Sequence, residues 1–354
     1  MALGVNDTGQ VVGLSYTVGG QPHAFRTAPN RPINPATDDL GTLGGSSSYA
    51  YAINSSGQVV GYSSTVGDEI LRAFRTPSNS AINPADDDLG TLGGWESFAT
   101  AVNKSGQVVG WSDTASDQVH AFRTAPNRPI DPATDDLGTL GGSLSVAAGI
   151  NGSGQVVGHS FTADDQQQHP FRTAPNGAIN PATDDLGTLG GLYAGANAIN
   201  NSGQVVGWSN TASGAIRAFL YSDGLMYDLN NLIPANSGWT LHSANAINDL
   251  GQIAVYGFVN GASHALRLDP PPARFASYLL EAITSFHLPP GASSPLSSIL
   301  HSCLDALERG DHTAARNQLG AFERLVSAQR SKHLADAQAD LLLAVSARAI
   351  ELLA

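Results

Sequence analysis

One residue in 354 is cysteine, Cys303, so an intrachain disulfide framework is excluded. Only two are lysine, Lys104 and Lys332. A surface that follows phosphates needs clustered Lys and Arg, so nucleic acid is not an expected partner. No apolar run reaches the roughly 18 residues of a membrane-spanning helix, and no membrane span is expected. The N-terminus does not read as a signal peptide, because Met1 leads straight into Ala2-Leu3-Gly4-Val5-Asn6, which already matches later segments. Charged residues make up only 13% of the chain, and the net charge of −13 is uneven. Acidic side chains outnumber basic ones about two to one before residue 274 and nearly balance after it. Gly is abundant instead, at 39 residues, together with Asn, Ser and Thr. That composition suits many short strands joined by tight turns, and the length accommodates more than one domain.

Self-similarity dominates what is present. Asn-x-Ser/Thr-Gly-Gln-Val-Val-Gly begins at Asn6, Asn54, Asn103, Asn151 and Asn200, with a decayed copy at Asn248, at spacings of 48 or 49 residues. A second landmark is His23-Ala24-Phe25, Arg72-Ala73-Phe74, His120-Ala121-Phe122 and Arg217-Ala218-Phe219, weakened to His169-Pro170-Phe171 and His264-Ala265-Leu266. A third, Asp-Asp-Leu-Gly-Thr-Leu-Gly-Gly, starts at Asp38, Asp87, Asp135 and Asp184; Tyr227-Asp228-Leu229 stands in the fifth place.

Each unit reads as four strands. Alternating Ala-x-Ala-Ile-Asn ends the first, Asn-x-Ser-Gly turns the chain, Gln-Val-Val-Gly returns as the second, and His-Ala-Phe-Arg-Thr is the third. In unit five, Asp223-Gly224 between two apolar runs marks a two-residue hairpin into the fourth strand. Four short antiparallel strands in 48–49 residues is blade geometry, and six units predict a six-bladed β-propeller over residues 1–270 with an incomplete last blade. A parallel β-helix would use shorter coils. The run Ile53 to Gly61, with Ala73-Phe74 and Asp88 to Gly94, resembles the bacterial HAF-type extracellular repeat family over roughly residues 2–268. The resemblance implies a secreted or cell-surface location and a propeller-like fold, and implies no enzyme activity.

After Pro270-Pro271-Pro272 the period changes from 2 to 3.6. Four helices are predicted in residues 274–354: one through Phe275, Leu279, Ile283 and Phe286; a second from Leu296 to Leu307; a third capped by Asp311; and a fourth from Leu334 to Leu353 with Leu334, Leu341, Val345 and Leu352 inward. Short links favour an antiparallel bundle. Arg309-Gly310-Asp311 with Ala314 to Leu319, and Ala337 to Asp340, is similar to the small helical domain called FIMAH found at the C-termini of secreted bacterial proteins. The Arg-Gly-Asp tripeptide reads as a helix–helix turn.

Repetition also weighs against catalysis. The His of His-Ala-Phe recurs at one position and is exchanged for Arg, which suits a structural hydrogen bond better than a catalytic base. The Asp pairs recur too; turn and edge chemistry accounts for them, with calcium ligation as the alternative. The Asn-x-Ser/Thr sequences match glycosylation acceptors, yet the turn needs those residues anyway. Leu14, Tyr62, Trp111, His159 and Trp208 follow the Val-Val-Gly triplets, with Tyr256 in the decayed copy, and there packing between units competes with stacking on sugars. No catalytic, metal or cofactor signature appears.

Function is expected where the symmetry breaks. The strand 2–3 loops carry acids, Asp68, Glu69, Asp113, Asp117, Asp164 and Asp165. The connections between units carry Tyr49, Trp95, Glu96, Tyr193 and Trp239. Aromatic plates beside carboxylates suit a glycan or a protein partner, so the expected function is non-catalytic extracellular binding. The alternative is a self-assembling surface fibre. It arises because the sixth unit runs from Leu268 into Asp269-Pro270 without a fourth strand, so its edge can take a strand from another molecule. The other reading of that unmatched count is a start upstream of Met1, with a signal peptide and the sealing strand.

Overall fold

The computed structural model describes residues 1–353. The chain is mainly β, with four helices at the C-terminal end. It divides into two compact units, residues 1–247 with 253–267, and residues 248–252 with 268–354.

Six antiparallel strand groups follow the repeats, and single parallel bridges, Val119 to Leu144 and Gln168 to Tyr193, join the third, fourth and fifth into one ten-stranded sheet. The first contains β1 (Ala2–Val5), β2 (Val11–Tyr16) and β3 (Pro22–Arg26). The second contains β4 (Gly44–Ile53), β5 (Val59–Thr65) and β6 (Leu71–Arg75). The third has β7 (Gly93–Val102), β8 (Val108–Thr114) and β9 (Val119–Arg123), and the fourth β10 (Gly141–Ile150), β11 (Val156–Thr162) and β12 (Gln168–Arg172). The fifth has β13 (Gly190–Ile199), β14 (Val205–Thr211), β15 (Ile216–Ser222) and β16 (Leu225–Asp228). The sixth has β17 (Trp239–Ile247), β18 (Ile253–Val259) and β19 (Ala262–Leu268).

The expected four-stranded blade is therefore corrected to three strands, with a fourth only in unit five. In units one to four the fourth strand shrinks to a single bridging residue, Asp39 opposite Phe25, Asp88 opposite Phe74, Asp136 opposite Phe122 and Asp185 opposite Phe171. The cause is local. Pro32 and Pro35 fix φ and lack the N–H a strand needs, and Gly41 turns the chain away at φ +74°. Unit five has no proline there and folds a hairpin instead. The missing fourth strand therefore does not set the sixth unit sharply apart, and the fibre reading loses its main support.

A second correction concerns the connections between units. Gly44–Ser48 and their counterparts are not loops but the first halves of long strands, bent by a bulge between Ala50 and Ala52.

The Val-Val pair explains how units pack. Successive strand residues face opposite sides. Val59 joins the core between units one and two with Leu40, Leu43, Phe74 and Ile82. Val60 joins the core between units two and three with Leu89, Leu92 and Phe122. Each pair is thus shared by two interfaces. Burying each such Phe contributes roughly 1.5–3 kcal/mol.

Polar side chains run along the same stack. Asn54 closes its own turn, accepting from the Ser56 and Gln58 amides, with Gly57 at φ +80°. Its Nδ2 donates onward to the Asn103 carbonyl at 3.1 Å. The same bond joins Asn6 to Asn54, Asn103 to Asn151 and Asn151 to Asn200. Asn54, Asn103, Asn151 and Asn200 are all buried, which removes them as glycan acceptors in the folded state.

The C-terminal unit holds α1 (Pro272–Ser285), α2 (Pro290–Glu308), α3 (His312–Gln329) and α4 (Asp336–Leu352). α1 packs on α2 and α4, and α3 lies between α2 and α4. Asp311 caps α3 through the Ala314 amide at 2.9 Å. Helix α2 starts earlier than its apolar pattern implies, because Pro290 is tolerated in a first turn. The buried stripe of α4 is Ala339, Leu342, Val345 and Ala349, while Leu341 faces solvent. Leu334 lies before the helix and is buried. Cys303 is buried among these helices, and burial pushes its thiol up to about 11.

Candidate functional site

The repeated histidines and aspartates form pairs within each unit. His120 Nδ1 donates to the Asp136 carboxylate at 2.9 Å, joining β9 to the bridging residue; His23–Asp39 and His169–Asp185 repeat the contact. The first aspartate of each pair is buried and accepts from a backbone amide four residues earlier, as Asp135 does from Asp131 at 2.8 Å. Burial pushes Asp135 above the usual carboxylate range. Burial also raises Asp136, but the hydrogen bonds from His120 and the Gly138 amide overcome it and hold that carboxyl below its ordinary value. Ser15, His23 and Asp39 line one cavity, yet no side-chain hydrogen bond joins Ser15 to His23 among the described residues. The corresponding Ser112 Oγ accepts from the Leu92 amide and donates to the Glu96 carbonyl.

A depressed carboxyl contributes stability above its unfolded pKa, near 3.9, and loses it as pH falls through the folded value. Replacing His120 with Ala is expected to cost about 1 kcal/mol at neutral pH. Thermal melts of the two proteins should draw together as pH falls from the unfolded value through the lowered folded value at which Asp136 takes up its proton. A gap that stays constant down to pH 3 would mean that the pair is not its source.

Most of the expected site acids are spent on their own fold. Asp68 Oδ1 accepts from the Ser46 amide and Asp165 Oδ1 from the Ser143 amide, 2.5 and 2.7 Å away. The first bond, aided by the Ser64 hydroxyl, holds Asp68 below the usual range. Asp113 Oδ2 accepts from the Glu96 amide at 3.0 Å. Asp164 accepts from Gln166 and Thr162 within its turn, which lowers its pKa too. Glu69 is exposed and makes no side-chain hydrogen bond among the described residues, and the same holds for the half-buried Glu96 side chain.

The aromatic residues divide likewise. Tyr49 stacks on Tyr62 at 4.7 Å, Tyr62 meets Phe98 of the next unit, and Phe98 stacks on Trp111 at 4.0 Å. This run is packing between units. Burial pushes the Tyr62 phenol above its ordinary range. Trp239 is half-buried and edge-on to His264. Tyr193 is exposed on β13, where it bridges Gln168. These residues are not brought together with Trp95 into one site.

Trp95 is different. It is 67% exposed and borders an open cavity of about 350 Å³ between units two and three, with Arg72, Thr114 and Asp117 around it. The loop after β8 is one residue shorter than those after β5 and β11. Asp117 sits in a left-handed turn position, φ +59°, as Asp68 and Asp165 do, but its carboxylate makes no hydrogen bond among the described residues. Arg72 replaces the histidine of other units and makes no ion pair or side-chain hydrogen bond among the described residues, unlike Arg217, which lies 3.9 Å from Asp228. An indole face, a guanidinium and a carboxylate thus share one open groove. Trp95 and Asp117 were legible as symmetry breaks. Arg72 and Thr114 were not; the signal for Arg72 was its exchange for His.

No family profile matches the chain, and no curated relative does. Among solved structures, a variant of the Aleuria aurantia lectin in complex with Fucα1-6GlcNAc is similar over 76% of this chain and 94% of its own, at 11% identity and a TM-score of 0.34. At that score the likeness carries no statement about ligand.

Proposed function

We propose that this chain is a non-catalytic extracellular or cell-surface protein, a propeller-like array of HAF-type units that binds a glycan in the groove around Trp95. The observation that supports this is the set of uncommitted groups there. An exposed indole offers a plate for the C–H face of a sugar ring, while Asp117 accepts from hydroxyls and Arg72 donates to them. In most other units the corresponding polar groups are already spent on the fold.

The test is a glycan array followed by titration of the best hit against Trp95→Ala and Arg72→Met. Losing the stacking face is expected to weaken binding roughly tenfold, from about 1.5 kcal/mol of stacking. Both side chains reach solvent, so melting temperatures should change little. Affinity unchanged in both variants, or an array without a hit, would refute the reading.

A further inference from the structure

We infer that the sugar taken by the Trp95 groove carries one isolated carboxylate, as a hexuronic acid does, and that Arg72 receives it. The assignment rests on the glycan reading of that groove and narrows it to a substrate class. What carries it is a break in a repeated pairing. Each of the first five units places a His or Arg on its third strand, facing an aspartate further along the same unit. Four of the five make the contact: His23 with Asp39, His120 with Asp136 and His169 with Asp185 at 2.8–3.0 Å, and Arg217 with Asp228 at 3.9 Å. The second unit does not. Its aspartate, Asp88, accepts from the Gly90 amide at 2.8 Å and is not among the residues that line the groove. Arg72 lines the groove instead, with no carboxylate at ion-pair distance among the described residues.

Among the lining residues Arg72 is the one cation and Asp117 the one anion, with the indole of Trp95 beside them. A pyranose lying on the indole by its C–H face presents its ring substituents sideways, towards the walls. A carboxylate carried on the ring then meets the guanidinium edge, whose parallel N–H groups match its two oxygens. A hydroxyl offers the same half-buried guanidinium one acceptor and no opposite charge.

The surroundings limit how much negative charge the ligand can bring. Glu69, Glu96 and Asp113 each adjoin a lining residue in sequence, and the chain's net charge is −13. A densely charged polyanion is repelled by that field. Salt of physiological strength screens it beyond about 8 Å, while the contact with Arg72 survives. One carboxylate among neutral sugars is the charge pattern that fits.

Two trisaccharides test this. One ends in glucuronate; the other is the same molecule with that carboxyl reduced to the alcohol, a terminal glucose. Each is titrated calorimetrically into the full chain and into Trp95→Ala, Arg72→Met and Asp117→Asn. The wild type is expected to bind the glucuronate form at least roughly tenfold more tightly than the reduced form. In Arg72→Met the two affinities should coincide, whereas Trp95→Ala should weaken both alike. Asp117→Asn removes a like charge and should leave the preference for the acid intact. Equal affinity of the wild type for the two probes would overturn the carboxylate and leave the glycan reading standing, as would a preference that persists in Arg72→Met. If neither probe saturates at concentrations on the order of millimolar, the carboxylate assignment falls too. The glycan reading falls with it only when an array of neutral and acidic glycans also gives no hit.

Discussion

Replacing Gly110 with alanine is expected to unfold the β part of the chain more readily than any surface change. Gly110 lies on β8 opposite Ala99, and β7 bulges between Ala99 and Ala101. The bulge swings the Phe98 carbonyl across the glycine. A Cβ there would stand 1.8 Å from that oxygen and 2.9 Å from the Ala99 Cα. Both neighbours are backbone, so no side chain can swing aside to relieve the contact. Relief requires β7 and β8 to part, which breaks ladder hydrogen bonds and opens the cores on both sides of the unit. A cost of at least about 3 kcal/mol follows from overpacking of this kind. In a unit of this size that lowers the midpoint of thermal unfolding by roughly 6–12 °C. Gly291→Ala, where nothing lies within 4 Å of the new Cβ, is the control and should leave the melt unchanged or slightly raised. Circular dichroism melts of the two variants decide it; a Gly110→Ala midpoint at the wild-type value would mean the strands separate freely.

The same close approach recurs at Gly13, Gly61, Gly158 and Gly207, which is why Val-Val-Gly is a fixed phrase in every unit but the decayed sixth. The sequence displayed that phrase and the change of period, so the first three strands of each unit and the four helices were readable from spacing, while the fourth strand it also implied is present only in unit five. What was not readable depended on partners distant in sequence. The Asp38 and Asp39 pair looked like one acidic feature. In the fold the two carboxylates part company, one accepting from the Asn34 amide and the other from His23. Likewise Tyr49 and Trp95 looked alike as aromatics in the connections, but Tyr49 has Tyr62 to stack on and Trp95 has no ring against it. Two aspartates of equal appearance also differ: Asp68 and Asp117 share one left-handed turn position, yet Asp68 captures the Ser46 amide and Asp117 captures no strand amide among the described residues.

Asn103, like Asn6, Asn54 and Asn151, serves two repeats with one side chain, and its loss should be nearly as severe as the glycine change. Its Oδ1 accepts from the Ser105 amide at 3.1 Å, the Ser105 hydroxyl at 2.8 Å and the Gln107 amide at 3.1 Å, holding the turn. Its Nδ2 donates to Gln107 Oε1 at 2.8 Å and to the Asn151 carbonyl at 3.1 Å, tying unit three to unit four. The residue is buried, so water cannot fully replace these bonds. Asn103→Ala strands both turn amides and the neighbouring carbonyl, which costs about 3 kcal/mol. Asn103→Asp separates the two roles. The carboxylate keeps the turn acceptor, but its second oxygen faces the Asn151 carbonyl and has no proton to donate. Protonation restores the donor, so the folded pKa of the introduced carboxyl lies above the unfolded value near 3.9. Stability is then fully present below that unfolded value and is lost as pH rises through the folded one. Denaturant titrations should find Asn103→Asp about as unstable as Asn103→Ala at pH 7 and clearly more stable than it at pH 4. If the two variants fall together at both pH values, the bond to the next repeat contributes nothing and the turn alone explains why Asn is there.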